Sequence, residues 1–245
     1  MKIKRIHILF VLLALCICAI PFRAQLRRPV VAIIQMIKGR KTIADRIEQF
    51  GQAVQSRLAP EFKAIGIHYP PKKITLIGLK TERILELWVA ESDGKWKYLK
   101  SYPILGMSGG LGPKLREGDM QVPEGIYKIE SLNPNSLYHL ALRVNYPNQD
   151  DIRRGKEDGR SDLGSDIMIH GKECSIGCLA MGDQAAEDLF VLAENTGIQN
   201  IAVVLAPSDF RGKTLPSNMP SKPKWMSELY ETIRKELETR SKPTS

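Results

Sequence analysis

The chain has 245 residues, 43% hydrophobic and 26% charged, enough for one sizeable domain with accessories or two small ones. That composition excludes a disordered chain and a polytopic membrane protein. The net charge of +9 is local: residues 1–60 hold eleven Lys and Arg against two acids, whereas residues 61–245 hold twenty-five of each sign, so the neutral body lacks a nucleic-acid footprint.

Met1-Lys-Ile-Lys-Arg5 precedes an apolar run from Ile6 to Ile20 and then Pro21. A basic start followed by a short apolar stretch matches an export signal. It is short for a full span, which takes ~20 apolar residues. No clean Ala-x-Ala cleavage pair follows, since Cys16, Ile17, Cys18 and Ala19 offer only poor ones. Residues 1–22 are therefore expected to be a signal peptide or, in preference, an uncleaved membrane anchor. The body then belongs to the cell envelope, on the periplasmic side. The basic arm beside the apolar run suits anionic lipid headgroups, or is simply the flank of a targeting segment.

Residues 23–60 read as a basic connector followed by an amphipathic helix. Ile43, Ile47, Phe50, Val54 and Leu58 recur at three- and four-residue steps, and Pro60 is expected to end the pattern or to lie just beyond its end. From Lys73 the period changes. Ile74–Leu79 and Ile84–Val89 read as strands, Ser92–Lys95 as a hairpin turn, and Trp96–Ile104 as the return strand. Gly125–Glu130 and Leu137–Val144 follow as strands, whereas Met107–Gly112 is a glycine-rich turn. Residues 147–166 are polar and aperiodic and are expected to form a long loop. Asp166–His170 is the next strand. A helix over Gln184–Glu194 stops at Gly197, and Ile201–Leu205 is a buried strand. Pro-rich residues 207–223 lead to a last helix, whose face of Trp225, Met226, Leu229, Tyr230, Ile233 and Leu237 is too apolar for water. Residues 73–206 thus form the main domain, and 207–245 form a linker and docking helix. The fold class is α+β, rich in β.

The chemistry concentrates in Ile167-Met-Ile-His-Gly-Lys-Glu-Cys-Ser-Ile-Gly-Cys-Leu-Ala-Met181. A strand delivers His170 to its end, and a seven-residue loop returns to Cys178. A cysteine nucleophile needs a base or an electropositive site to raise its thiolate fraction, and a neighbouring His supplies one. Gly171 and Gly177 let backbone approach a substrate, Ser175 bonds the loop, and the amides at Gly177–Cys178 can form an oxyanion hole. The residues alone leave other readings open. His170, Cys174 and Cys178 have tolerable spacing for zinc but no near fourth ligand. Cys174 and Cys178 could pair as a disulfide. His68 and His139 read as packing or surface residues. No metal or cofactor is expected.

Several segments together resemble the YkuD-type L,D-transpeptidase family, most closely its YafK-like branch, over residues 40–240. They are Arg57-Leu-Ala-Pro-Glu-Phe, Tyr69-Pro-Pro71, Leu76-Ile-Gly-Leu-Lys80, Glu117-Gly-Asp-Met-Gln-Val-Pro-Glu-Gly-Ile-Tyr127, Asn133-Pro-Asn-Ser136, Tyr146-Pro-Asn148, and His170-Gly with Ser175-Ile-Gly-Cys178. The resemblance implies Cys178 as nucleophile and His170 as proton donor and acceptor. It implies attack on the amide carbonyl at the L-centre of diaminopimelate in peptidoglycan stem peptides, through a thioester. Water then cleaves, or an amine cross-links. The YafK-like branch implies cleavage, specifically release of a peptidoglycan-anchored lipoprotein. The sequence departs from the family where Ile176 replaces a His and Ala180 replaces an Arg, so acceptor choice stays open. A wall-binding protein without activity is the other alternative.

Overall fold

The structure, a computed structural model, describes residues 39–212 and 223–240. The expected export segment and most of the basic connector lie outside the described residues, as does most of the Pro-rich linker. No described helix is long and apolar enough to cross a membrane. The described residues from Lys41 onward belong to one compact unit.

Helix α1 (Ile43–Ala64) opens with a capping box between Thr42 and Asp45. It does not end at Pro60, as the sequence pattern predicts, but runs four residues further. The reason is packing. Phe62 continues the stripe of Val54 and Leu58, and all three are buried. Burial of that ring, worth roughly 1.5–3 kcal/mol, offsets much of the ~3 kcal/mol that a helical proline costs.

Strands β1 (Lys73–Leu79), β2 (Ile84–Ala90), β3 (Trp96–Pro103), β4 (Gly125–Ser136), β5 (His139–Val144), β6 (Met168–His170), β7 (Leu179–Ala180) and β8 (Ile201–Ala206) form one mixed sheet. The order is β3-β2-β1-β8-β4-β5-β6-β7. Strand β8, last in sequence, inserts between β1, which it parallels, and β4, which it opposes. The central strands are buried on both faces, so they read as near-continuous apolar runs. Ile74 and Leu76 join Val54, Leu58 and Phe62 of α1 and Leu189 and Phe190 of α3 (Asp183–Thr196) in one core. Ile77 and Leu79 face a second core, built with Met226, Leu229, Tyr230, Ile233 and Leu237 of the last helix (Met226–Glu238). The α+β class therefore holds: one mixed sheet with helices on both faces.

Strand β4 joins the two halves of the sheet. Gly125–Lys128 pair with β8, and Ile129–Ser136 pair with β5. It runs six residues beyond its expected end, through Pro134, where the register with β5 shifts. The stretch 147–166 is not wholly a loop either. Helix α2 (Gln149–Glu157) forms in it, started by a capping box of Asn148 and Asp151. Its sequence lacks an apolar stripe because its anchors are polar: Arg154 is buried and stacks 5.3 Å from the ring of Trp225. In chain order the last helix is α4.

One buried polar chain crosses between the halves. The Lys80 ammonium donates to Glu124 Oε1 (2.8 Å) and to the carbonyls of Gly112 and Val122. The Gly112 amide donates to the same carboxylate, and the Tyr230 hydroxyl of α4 donates to its other oxygen at 2.8 Å. Lys80, Glu124 and Tyr230 are all buried. The C-terminal helix thereby holds the glycine-rich stretch after β3.

Candidate active site

Strand β6 carries His170 at its end and pairs in parallel with β7, which begins immediately after Cys178. His170 is in register with Ala180, two residues past the cysteine. The seven-residue connection predicted between them is thus a tight return that brings both residues to one edge. Asp166 and Ile167 fall outside the strand. Asp166 has φ +62°, a left-handed conformation that aspartate tolerates better than most residues.

The tautomer of His170 follows from its partners. Its Nδ1 lies 2.6 Å from the Gly171 carbonyl oxygen, which can only accept, so Nδ1 carries the proton. In the neutral ring Nε2 then holds a lone pair. It lies 3.3 Å from Ser175 Oγ, which donates to it and in turn accepts from the Cys178 amide at 3.2 Å. Burial pushes the imidazole below its ordinary value, while the Gly171 carbonyl pulls the other way. Tyr138 covers the ring, its centroid 4.6 Å from that of the imidazole.

The thiol faces elsewhere. Cys178 Sγ donates to the Asp166 carbonyl at 3.4 Å and accepts from the Met168 amide at 3.3 Å. Among the described hydrogen bonds none joins it to His170. Burial pushes the thiol up to about 11, against smaller opposing effects of the Met168 amide, Lys114 and Ser175, although the residue keeps part of its surface open. Burial thus favours the neutral form of both groups at rest. The Asp166 side chain is tied to Arg143, which also bonds Glu130 at 2.6 Å.

The remaining expected site residues fall as follows. Gly171 is buried, and a Cβ there would lie 2.7 Å from both the Tyr138 carbonyl and Asp183 Oδ1. Its space is filled by protein, so close substrate approach is not what requires glycine there. Gly177 has φ +78° and donates its amide to Ser108 Oγ at 2.7 Å, and that hydroxyl passes its own proton to the Met120 carbonyl. The two amides considered for an oxyanion hole are therefore each held by a serine hydroxyl, Ser108 or Ser175, which an oxyanion must displace. Ile176 stands in solvent, 54% exposed. Cys174 is exposed and free, and no disulfide joins it to Cys178. His139 bonds Glu187 at 3.0 Å and packs on Phe50, whereas His68 lies 3.4 Å from Glu91 at the surface. Among the described residues no three of His, Cys, Asp and Glu come together to hold a metal.

Sequence reasoning missed Ser108, Tyr138, Arg143 and Asp166 as parts of the site. Asp166 and Arg143 carried a signal only in pairs: a charged residue facing across β5 and β6 becomes meaningful once Arg143 is known to oppose Met168.

The sheet and the ordered motifs define an L,D-transpeptidase catalytic domain. The family model described by that name, YkuD, matches residues 72–203, and the chain belongs to this family. Among curated proteins it is similar to YafK of Escherichia coli strain K12, which carries the name of an L,D-transpeptidase: 42% identity over 113 residues, 45% of this chain and 43% of that protein. YafK of the O157:H7 strain matches equally. The match thus spans less than half the length of these relatives. Among solved structures it is similar to the helical cell shape determining protein Pgp2 of Campylobacter jejuni (24% identity, TM-score 0.44, 60% of this chain and 50% of that one). It is also similar to Bd1075 of Bdellovibrio bacteriovorus (23% identity, TM-score 0.41, 69% and 56%).

Proposed function

We propose that the chain is a cell-wall thiol enzyme that opens the amide at the L-centre of diaminopimelate through a thioester on Cys178. One observation carries the reading. The Gly171 carbonyl fixes His170 with Nε2 unprotonated, at the sheet edge where Cys178 returns. A base so prepared can take the thiol proton once Cys178 turns from Asp166. The sulfur then bonds to the carbonyl carbon, and the oxyanion displaces Ser108 and Ser175 from the amides of Gly177 and Cys178. The imidazolium gives its proton to the leaving amine as the carbon–nitrogen bond breaks. In the second half, His170 takes a proton from the incoming nucleophile, the carbon–sulfur bond breaks, and the thiol is restored.

That nucleophile is water in our reading, which makes the enzyme an amidase releasing a peptidoglycan-anchored lipoprotein. Support comes from the resemblance to the YafK-like branch, which implies cleavage; the 42% identity to YafK supports cell-wall chemistry of the L,D-transpeptidase type and not the choice of water. Transfer to an amine, forming cross-links or attaching lipoprotein, is the alternative supported by the family's name. The apolar run with its basic flank supports work on the periplasmic side of the inner membrane, held by residues 1–22. The test is incubation of the protein, and of Cys178→Ala, with peptidoglycan bearing covalent lipoprotein, followed by mass spectrometry. Released lipoprotein with wild type alone is expected. New diaminopimelate cross-links without release would overturn the hydrolytic outcome, and equal products from Cys178→Ala would overturn the role of the thiol.

A further inference from the structure

The sulfur of Cys178 lies between two backbone groups of the segment that leads into β6. The Met168 amide donates to it at 3.3 Å, and the Asp166 carbonyl accepts its proton at 3.4 Å. The two contacts treat the two forms of the group differently. A donor amide serves thiol and thiolate, whereas a carbonyl oxygen serves only the thiol and repels a thiolate. The Asp166 carbonyl thus keeps the sulfur protonated and its proton away from His170 Nε2.

Asp166 aims that carbonyl from an unusual backbone. Its φ of +62° is a left-handed conformation that a residue with a side chain keeps only when its surroundings hold it. After it the chain is pinned, since the Ile167 carbonyl accepts from the Val144 amide at 2.9 Å. Before it, Ser165 is exposed and Gly164 has φ +80°. Among the described hydrogen bonds Asp166 has two, one to the thiol and one to Arg143. Arg143 stands on β5 directly opposite Met168. Its Nη1 donates to Asp166 Oδ1, while Glu130 Oε2 fixes its Nε at 2.6 Å. The guanidinium is a planar fork, so fixing one prong directs the other. Charge acts in the same sense. The Asp166 carboxylate pushes the thiol up, whereas Lys114, which pulls it down, is already engaged by Asp119 at 2.7 Å and by the Arg116 carbonyl at 2.9 Å.

We propose that Arg143 and Asp166 are positioning residues that latch the Cys178 thiol in a parked state, and that release of Asp166 from Arg143 frees the sulfur to turn to His170. No covalent bond changes in this step, because the thiol keeps its proton until it meets Nε2. The proposal deepens the reading of Cys178 as nucleophile with His170 as its base, and it rests on that reading.

Two substitutions separate the tie from the charge. Asp166→Gly permits the left-handed backbone but removes the tie. Asp166→Asn removes the charge, tolerates the same backbone and keeps an oxygen for Arg143. The readout is iodoacetamide labelling of Cys178 across about pH 6 to 10, followed by peptide mass spectrometry, with exposed Cys174 as internal control. Asp166→Gly should label Cys178 ~10-fold faster than wild type near about pH 7.5, the effect of a profile moved down by about one pH unit. Asp166→Asn should stay within about threefold of wild type. The gain should vanish when His170→Ala is added to Asp166→Gly, whereas a thiol merely loosened would keep it. Arg143→Met should speed labelling in wild type and add nothing in Asp166→Gly. No gain in Asp166→Gly, an equal gain in Asp166→Asn, or a gain that survives His170→Ala overturns the latch. Thioester formation with a stem peptide, read by intact-protein mass spectrometry, tests the enzyme reading separately. Its absence in wild type sinks that reading and the latch with it, whereas a thioester alongside unchanged labelling sinks the latch alone.

Discussion

The Ser175 hydroxyl lies 3.3 Å from His170 Nε2 and occupies the position from which that nitrogen would accept a proton in the proposed reaction. The hydroxyl has to leave before a thiol proton arrives, so it is not itself part of proton transfer. Replacement by alanine should therefore slow thioester formation by no more than about tenfold, whereas removal of the base in His170→Ala should cost ~10²–10⁴-fold. Single-turnover acylation, followed by intact-protein mass spectrometry, gives both numbers. A Ser175→Ala loss as large as that of His170→Ala would place the hydroxyl in the reaction path.

The pH behaviour follows from two groups displaced away from each other. His170 sits below its ordinary value through burial, and Cys178 is pushed up to about 11. The acylation rate should fall as pH drops through the depressed His170 value, below about 6.5, because the protonated ring cannot accept. It should show no second rise between pH 7 and 9, where an ordinary cysteine ionises. Iodoacetamide should accordingly label Cys178 in the free enzyme more slowly than it labels exposed Cys174 at pH 8. Faster labelling of Cys178 would mean a resting thiolate and contradict the arrangement seen.

Asp151 tests the opposite sign in stability. Burial raises its carboxyl to about 6, in spite of hydrogen bonds from the Asn148 amide and the Tyr127 hydroxyl. Its folded value lies above the unfolded one of about 3.9, so the folded state binds more protons between the two. Its contribution must then weaken stability as pH rises from about 4 to about 6 and stay constant above. Urea midpoints for Asp151→Asn should lack this component of the pH dependence. An identical pH slope in both proteins would disprove the assignment.

The chain Lys80–Glu124–Tyr230 predicts unequal costs for its members. Tyr230→Phe leaves one oxygen of a buried carboxylate without its donor and should cost about 1–3 kcal/mol. Lys80→Met leaves the Glu124 charge unpaired and should cost about 3–5 kcal/mol. Denaturant titration orders them. Similar small losses would mean that water reaches Glu124.

Hydrophobic patterning made β1, β2 and β8 legible as runs buried on both faces, and α4 legible by its one apolar face. It failed where a segment is held by partners far along the chain. α2 relies on Asn148, Asp151 and Trp225, and polar anchors leave no stripe. The site divided in the same way. His170 and Cys178 were legible as a pair eight residues apart. Arg143, Ser108 and Tyr138 act on that pair only through strand register and ring packing, which no local pattern encodes. The resting geometry was also hidden: nothing in the sequence says that the thiol leans on Asp166 and not on the histidine.

Tyr230 follows Cys178 by fifty-two positions in the sequence, yet it anchors Glu124 and, through it, the turn at Gly112. The same stretch supplies Ser108, which holds the Gly177 amide. A polypeptide is made from its N-terminus and its parts fold in that order. Cys178 and His170 are thus synthesised well before the residue that steadies the wall beside them. A shortened chain that stops before α4 would contain both Cys178 and His170 and still lack that support, so the order of synthesis delays the finished site until α4 has been made and has docked.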